Sequence, residues 1–280
     1  MIVVSMLEER IQVAEGRPGT RPTVRRLHSV SYDRLSESGW EEALSTLWRE
    51  AALSRRDITL ILPRESVVTR VLKLPDMPSK QFAQAVQHEM RLSEEDEMIT
   101  DFLPLGRDGN LCTVLGGACR KETLARYIQG FDRLGLRLGR ISVPMEPLLK
   151  LLPAMEGMKA QTCLWLVFDG GGVMSLLAEK GAYRYAGRSR INAPPGTEEF
   201  CEEVKRIVSG TMQFQETKRR ASAITHVYFA GCEEFAACLP ALQDLGLVAQ
   251  PLSACGRFRA LPEGQHLGDW AFCLGAFLRL

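Results

Sequence analysis

Two segments far apart in the chain open with the same pattern: an apolar strand, a turn and a second strand. In the first, the apolar run at residues 2–6 is followed by residues 10–14, which alternate between polar and apolar side chains. In the second, the apolar run at 165–168 meets a glycine-rich turn and continues as 173–178. Runs of this length and pattern are typical of strands. The sequence therefore predicts two β-hairpins, each of which begins one half of the protein.

Helical patterns follow each predicted hairpin. Residues 40–53 repeat apolar side chains at helical spacing, and the residues from Thr197 to about 220 form a long helix that starts sharply after Pro194-Pro195-Gly196. Short apolar strands at 58–62 and 226–230 lie near them in the chain. A chain of 280 residues is long enough for one large domain or two lobes. We therefore expect an α/β protein.

Composition limits the partners and the compartment. The 35 basic and 34 acidic residues give a net charge of +1, which disfavours nucleic acid as the main partner. No apolar run approaches the ~20 residues that cross a bilayer. The cysteines lie mostly in apolar runs without metal-ligand spacing, which predicts reduced, buried thiols in a cytosolic protein. They are Cys112, Cys119, Cys163, Cys201, Cys232, Cys238, Cys255 and Cys273.

Two basic segments and four scattered histidines are further candidate sites. Residues 17–26 and 218–220 could lie against anionic lipid, or could be a solvated hairpin and a helix C-terminus whose cations match the helix dipole. We favour the helix C-terminus for 218–220 and leave 17–26 open. The four histidines lack metal-ligand spacing, so we predict no metal site.

Four stretches, in order along most of the chain, resemble one family. Residues 62–90 contain a strand that ends at Leu-Pro and a helix with Glu89 near its end. Residues 134–152 contain a strand followed by a helix that starts at Glu-Pro. Residues 165–190 combine the glycine-rich hairpin with a strand ending in Ser189-Arg190, and 271–280 form the closing helix. This set resembles the PilM family of type IV pilus assembly proteins, relatives of FtsA in the actin-like ATPase superfamily.

The resemblance implies a fold and a division into domains. It implies an α/β, actin-like (ribonuclease H-like) fold with two lobes and an FtsA/PilM-type extra subdomain. We place the first lobe at residues 1–74, the extra subdomain at 75–143 and the second lobe at 144–280, with its last helix returning toward the first lobe. Pro75-Asp76-Met77-Pro78 breaks the chain at the first boundary, and Ser79 fits an N-cap for the helix that follows.

The resemblance also directs attention to the turn of the second hairpin. Asp169 with Gly170, Gly171 and Gly172 could direct backbone amides at phosphates and hold Mg²⁺ through water. An Asp-Gly pair is, however, equally a strong signal for a simple hairpin turn. In the superfamily, a second glycine turn completes the nucleotide site, here at Gly231.

Several elements of a nucleotide site are altered in this sequence. The first hairpin turn has no glycine and carries Glu8 and Glu9, and a like-charge contact at about 4 Å costs about 4 kcal/mol at an effective dielectric constant of 20. Gly231 is followed by Cys232 and two acidic residues. The connection between the strand that ends at Arg190 and the long helix is short, with only residues 191–197. We therefore expect a pseudo-ATPase with a vestigial site and no cofactor. ATP with Mg²⁺ is the expected cofactor if the site functions.

The expected function is that of a cytoplasmic scaffold of a type IV pilus machine. The resemblance implies that a groove between the first lobe and the extra subdomain binds the N-terminal cytosolic tail of an inner-membrane PilN-like protein. Other pilus assembly proteins are further expected partners, and the membrane is reached only through a partner. Candidate groove residues are Arg70, Leu72, Phe82, Val86 and Met90. The last three could equally be core residues of the subdomain.

Two other functions remain open. The chain could be a functional actin-like ATP-binding protein or ATPase of the same machine. It could also resemble the cytoplasmic domain of the GspL-like proteins of type II secretion. That second alternative predicts a transmembrane helix after the domain, and no such segment occurs up to Leu280.

Overall fold

The structure is a computed structural model that describes residues 1–33, 35–36, 38–90, 97–170, 172–217, 222–253, 256–258 and 261–279. It divides into two compact units. The first unit is Met1–Glu15 with His28–Glu146, and the second unit is Gly16–Leu27 with Pro147–Leu280. Both units contain helices and strands, as the sequence predicts for an α/β protein. The basic residues 218–220 and the acidic residues 94–96 lie outside the described residues.

The elements of the first half alternate between strands and helices. Its strands are β1 (Ile2–Met6), β2 (Arg10–Arg17), β3 (Thr23–Ser31), β4 (Ile58–Ile61), β5 (Val67–Pro75), β6 (Met98–Asp108), β7 (Leu111–Arg120) and β8 (Leu138–Ser142). Its helices are α1 (Gly39–Ala51), α2 (Ser79–Glu89), α3 (Lys121–Arg133) and α4 (Met145–Leu151).

The second half contains five strands and three α-helices among its described residues. The strands are β9 (Thr162–Phe168), β10 (Gly172–Glu179), β11 (Ala182–Arg190), β12 (His226–Ala230) and β13 (Val248–Pro251). The helices are α5 (Glu198–Glu216), α6 (Leu239–Gln243) and α7 (Ala271–Phe277), and a 3₁₀ helix at Glu233–Cys238 precedes α6. No helix of the described residues is long and apolar enough to cross a membrane.

The two five-stranded sheets share one topology. Their strand orders are β3-β2-β1-β4-β8 and β11-β10-β9-β12-β13. In each, a hairpin contributes its first strand to the centre, where it pairs antiparallel with the second strand and parallel with a later one. Every residue of β1 and of β9 is buried, which explains why both sequences are continuous apolar runs. The two predicted hairpins are therefore confirmed.

Helices cover these sheets through aromatic side chains. In the first unit, Trp40 of α1 lies with its ring centroid 5.8 Å from Phe131 and 5.4 Å from Tyr127, both on α3. In the second unit, Phe229 of β12 stacks on Phe235 at 4.2 Å. Helix α5 begins where the sequence predicts, because the Thr197 hydroxyl accepts a hydrogen bond from the Phe200 amide at 3.2 Å.

A third, antiparallel sheet of order β5-β7-β6 lies within the first unit. Its limits differ from the subdomain predicted at 75–143. The sheet already begins at Val67, because β5 pairs along its whole length with β7. Helix α3 packs in the core of the first sheet, and β8 pairs with β4. The additional element in the first unit is therefore residues 67–120, and α3 and β8 belong with the first lobe.

Replacing Gly130 by Ala should destabilise the protein. A Cβ atom at Gly130 would lie 2.3 Å from Cη2 of Trp40, a rigid ring that holds α1 against α3. We expect a loss of about 1–3 kcal/mol in the free energy of unfolding. Gly210→Ala is the matched control on the exposed face of α5, since no described residue lies within 4 Å of its Cβ position. That change should stabilise by about 0.5–1 kcal/mol in chemical denaturation. Equal effects of the two changes would contradict this packing.

Candidate functional site

The turn of the first hairpin is closed by its own hydrogen bonds. The Leu7 amide donates to the Arg10 carbonyl at 2.9 Å, and the Tyr32 hydroxyl donates to the Leu7 carbonyl at 2.8 Å. The Tyr32 amide donates to the Glu9 carbonyl at 3.1 Å. The turn also carries the half-buried Glu8 and the exposed Glu9. Because carboxylates repel phosphate oxygens and the turn lacks glycine, these residues do not fit a phosphate cradle.

The turn of the second hairpin is tight and glycine-rich. The Asp169 amide donates to the Gly172 carbonyl at 3.3 Å, and Phe168 and Val173 pair across the hairpin. Asp169 is buried, and Gly170 has φ of 113°, a conformation that favours glycine. Gly171 lies outside the described residues. The geometry is that of a hairpin turn, and a role in nucleotide binding stays a prediction.

Gly231 lies at the same edge of the second sheet as Asp169. Strand β12 runs parallel to β9, so that both strands end at this edge. Gly231 has φ of 79°, and a Cβ atom there would lie 2.3 Å from the Phe168 carbonyl oxygen. The structure therefore brings Asp169, Gly170, Gly172 and Gly231 together, as the resemblance implies. It also provides a packing reason for glycine at 231 that requires no ligand.

Two glycine variants separate the packing role of Gly231 from its backbone conformation. Gly231→Ala should lower the free energy of unfolding by about 3 kcal/mol, because backbone strain adds to the close approach of Phe168. Gly264→Ala has a similar φ, 74°, but no described residue lies within 4 Å of its Cβ position. It should cost about 1 kcal/mol in the same denaturation experiment. A Gly231 variant as stable as the Gly264 variant would contradict the close packing.

A separate cleft of about 300 Å³ lies within the first unit. One wall is a face of the three-stranded sheet, and the other is the segment from β8 to the start of α4. Gly117 of the sheet approaches Val143 of this segment, since a Cβ atom at 117 would lie 3.5 Å from Cγ1 of Val143. The lining is largely apolar and includes Leu62, Leu103, Leu115, Leu124, Ile141 and Val143.

The three-stranded sheet has two different faces, because successive side chains of a strand point to opposite sides. On β7, Val114 and Ala118 belong to the core under α2, whereas Leu115 and Cys119 line the cleft. The neighbouring strands continue these rows. Cys119 pairs with Val67 on one side and Ile99 on the other, and Leu115 pairs with Leu103. The cleft face therefore consists mainly of the odd-numbered residues.

The five residues predicted to bind a partner lie on the other side of this sheet. Phe82 and Val86 of α2 and Met90, the residue after it, are buried against the sheet, and Leu72 packs against the same cluster. The guanidinium of Arg70 is directed toward α2, where it donates to the Glu89 carbonyl at 3.0 Å. These positions favour the interpretation of Phe82, Val86 and Met90 as core residues of the subdomain over their interpretation as groove residues. None of the five lines the cleft. Arg70 and Leu72 have the opposite parity on β5, and the other three belong to α2 and its C-terminal end.

Sequence reasoning missed the strand that forms much of the cleft. Strand β6 contains Pro104 and Gly106, residues that interrupt a strand pattern and are tolerated at edges and bulges. The structure accordingly has a register shift between Pro104 and Gly106, on an edge strand of the sheet. The alternation at residues 98–103 was the signal that could have identified it.

A buried carboxylate organises the polar wall of the cleft. Glu146 accepts hydrogen bonds from the Arg140 guanidinium at 2.7 Å and from the Ser142 hydroxyl at 2.6 Å. The Glu146 side chain is 8% exposed, whereas that of Arg140 is 47% exposed. A buried carboxylate requires such partners. The pair holds Arg140 on β8 as a fixed donor beside the apolar lining.

The basic residues at 17–26 form a further surface. They run from the end of β2 into β3, and the side chains of Arg17, Arg21 and Arg25 are exposed. The solvated-hairpin interpretation and the lipid interpretation both fit exposed arginines. Contact with anionic lipid stays a prediction.

Comparisons with known proteins identify the fold. No family model matches the sequence, and a search of curated proteins finds no match. Among solved structures, the chain is similar to a "PilM-PilN type IV pilus biogenesis complex", with a TM-score of 0.80 and 18% identity over 99% of this chain and 97% of that chain. It is also similar to a protein of unknown function with an actin-like ATPase fold from Bacteroides thetaiotaomicron, with a TM-score of 0.62 and 10% identity, over 97% and 94% of the two chains.

A third similar structure is the cytoplasmic domain of EpsL, an inner-membrane component of the type II secretion system of Vibrio cholerae. Its TM-score is 0.53 at 11% identity, over 98% of this chain and 93% of that chain. The chain thus has an actin-like fold. More particularly, its fold is similar to that of a chain in the PilM–PilN complex over nearly the whole length of both chains. The expected fold class is confirmed.

Proposed function

We propose that the protein is a scaffold that binds an extended, apolar peptide in the cleft of the first unit. The observation that carries this proposal is the apolar wall formed by the odd-numbered face of the three-stranded sheet, opposite β8 and α4. The peptide is the N-terminal cytosolic tail of a PilN-like inner-membrane protein in a type IV pilus machine. A fold similar to that of a chain in a PilM–PilN complex supports this choice.

The shape and chemistry of the cleft suit a peptide anchored by a few side chains. Its volume of about 300 Å³ is at the low end of ligand pockets, so we expect it to hold anchor residues rather than a whole tail. Leu103, Leu115 and Val143 supply apolar contacts. Strands β6 and β8 are each the last strand of a sheet among the described residues, and an edge strand can bond the backbone of an extended peptide.

Two exposed apolar residues of the sheet allow a matched test. Ile99 lines the cleft and is 45% exposed, whereas Leu111 is 46% exposed and is not part of the lining. We expect Ile99→Glu to weaken binding of a fluorescent PilN-like tail peptide from the same organism by at least about tenfold, because the apolar anchor would meet a carboxylate. Leu111→Glu should bind like the unmodified protein in fluorescence anisotropy.

Three outcomes of this experiment would count against the proposal. They are the absence of saturable binding by the unmodified protein, equal weakening by the two variants, and no weakening by Ile99→Glu. Circular dichroism of both variants checks that the sheet is folded. A tail peptide from the corresponding type II secretion partner tests the GspL-like alternative, which the similarity to EpsL favours. Tighter binding of that peptide would favour the alternative.

We infer that the protein acts without ATP hydrolysis and requires no nucleotide. The acidic, glycine-free turn at Glu8 and Glu9 supports this inference, because phosphate binding needs donors at this position. In this interpretation the glycine turn at Asp169 and Gly231 is a vestige of a nucleotide site. The competing function is that of an ATP-binding protein or ATPase of the same machine. The position of Asp169 and Gly231 at one edge of the sheet favours that function.

Calorimetric titration with ATP and Mg²⁺ distinguishes these functions. We expect no saturable heat, which corresponds to a dissociation constant weaker than about 1 mM. Binding in the micromolar range, or thermal stabilisation by ATP, would support the ATP-binding function instead.

The proposal also includes a location and further partners. We propose that the protein lies in the cytoplasm beside the inner membrane, which it reaches only through a partner. It would contact other pilus assembly proteins, and nucleic acid would have no role. Fractionation of cells with and without the PilN-like protein tests the location.

A further inference from the structure

Two thiols of the second unit lie in direct contact. Cys201 is in the first turns of α5, and Cys238 ends the 3₁₀ helix Glu233–Cys238. Their sulfur atoms are 3.0 Å apart, and both cysteines are free thiols. A disulfide bond joins sulfurs at about 2.05 Å, so the two atoms need to approach by only about 1 Å. Neither cysteine takes part in the cleft or in the hairpin turns.

The two thiols differ in accessibility. Cys201 is only partly buried, whereas Cys238 is fully buried in the core that α5 forms with the second sheet. Burial, followed by the hydrogen bond and charge of Cys201, raises the pKa of the Cys238 thiol above its ordinary value. Because it is fully buried, Cys238 is shielded from reagents in solution. An oxidant would reach Cys201 first, and Cys238 already lies against it.

We propose that Cys201 and Cys238 form a reversible thiol–disulfide site that responds to peroxide. Hydrogen peroxide oxidises the Cys201 sulfur to a sulfenic acid and is itself reduced to water. The Cys238 sulfur then attacks the Cys201 sulfur, its proton leaves with the hydroxyl group as a second water, and the S–S bond forms. In total, two thiols and one peroxide yield one disulfide and two waters. A dithiol reductant reverses the step.

The bond would tie α5 to the segment that follows Gly231. Cys201 and Cys238 are 37 positions apart in sequence, and a cross-link over such a loop restricts the unfolded chain. We therefore expect oxidation to raise the thermal unfolding midpoint of the intact protein by several degrees. The peptide cleft lies in the first unit, so this inference is independent of the proposed function.

Cys232 is the natural control. It is a free, partly buried thiol in the same cluster, and burial, together with the hydrogen bond and charge of Glu234, raises its pKa to about 11. Its sulfur donates to the Glu234 carboxylate at 3.4 Å, an interaction that directs it to a group other than a thiol. We expect Cys232→Ser to form the disulfide as readily as the unmodified protein.

The experiment uses the full chain, reduced and then treated with hydrogen peroxide. After quenching, denaturation and alkylation, mass spectrometry of proteolytic peptides should show Cys201 linked to Cys238, in the unmodified protein and in Cys232→Ser. Cys201→Ser should remain unlinked and lose the rise in unfolding midpoint. Cys238→Ser should retain a sulfenic acid on Cys201 that a dimedone probe labels. If that variant does not fold, Cys201→Ser, whose position is partly exposed, still provides the test.

Several results would overturn the proposal. One is the absence of a linked peptide at a peroxide level that alkylation shows to have oxidised Cys201. Another is a linkage that disappears in Cys232→Ser, since that would place the reactive pair elsewhere in the cluster. A third is a linkage that a dithiol reductant fails to remove from the native protein.

Discussion

The structure depends on a central strand that pairs with neighbours of both orientations. In each five-stranded sheet, the first strand of a hairpin lies between its antiparallel partner and a later, parallel strand. A parallel partner requires a crossover connection, which a helix usually supplies, here α1 and α5. Side chains on both faces of the central strand are buried. This explains the apolar runs at β1 and β9, and it places both hairpin turns at strand ends, where functional residues of α/β folds are found.

The third sheet presents an apolar surface because its own helix covers only one of its faces. Helix α2 covers the even-numbered residues, and its anchors Phe82, Val86 and Met90 complete a small core. The odd-numbered residues face the segment between β8 and α4 and line the cleft. The three strands and α2 thus form a small core on one face and present apolar surface on the other. The buried Glu146, which holds Arg140 beside this surface, adds a polar group of fixed position.

Charge distinguishes the two hairpin turns, although their strands have the same topology. The turn near Glu8 has no glycine, and its backbone accepts a hydrogen bond from the Tyr32 hydroxyl. The turn at Asp169 is rich in glycine and lies at the same sheet edge as Gly231. The glycine at 231 is required by the approach of the Phe168 carbonyl, so its presence does not itself imply a ligand.

The sequence by itself determined the α/β class, the two hairpins, the long helix after Thr197 and the apolar face of α2, because each depends on local periodicity and capping. It did not reveal β6, because Pro104 and Gly106 interrupt the strand pattern. The bulge that accommodates them on this edge strand is seen only in the pairing with β7. The assignment of α3 and β8 to the first lobe was likewise decided by tertiary structure. Tertiary structure also decided which face of the three-stranded sheet lines the cleft. A shift of one residue along a strand moves a side chain to the opposite face, and strand pairing and helix packing determine which face is covered.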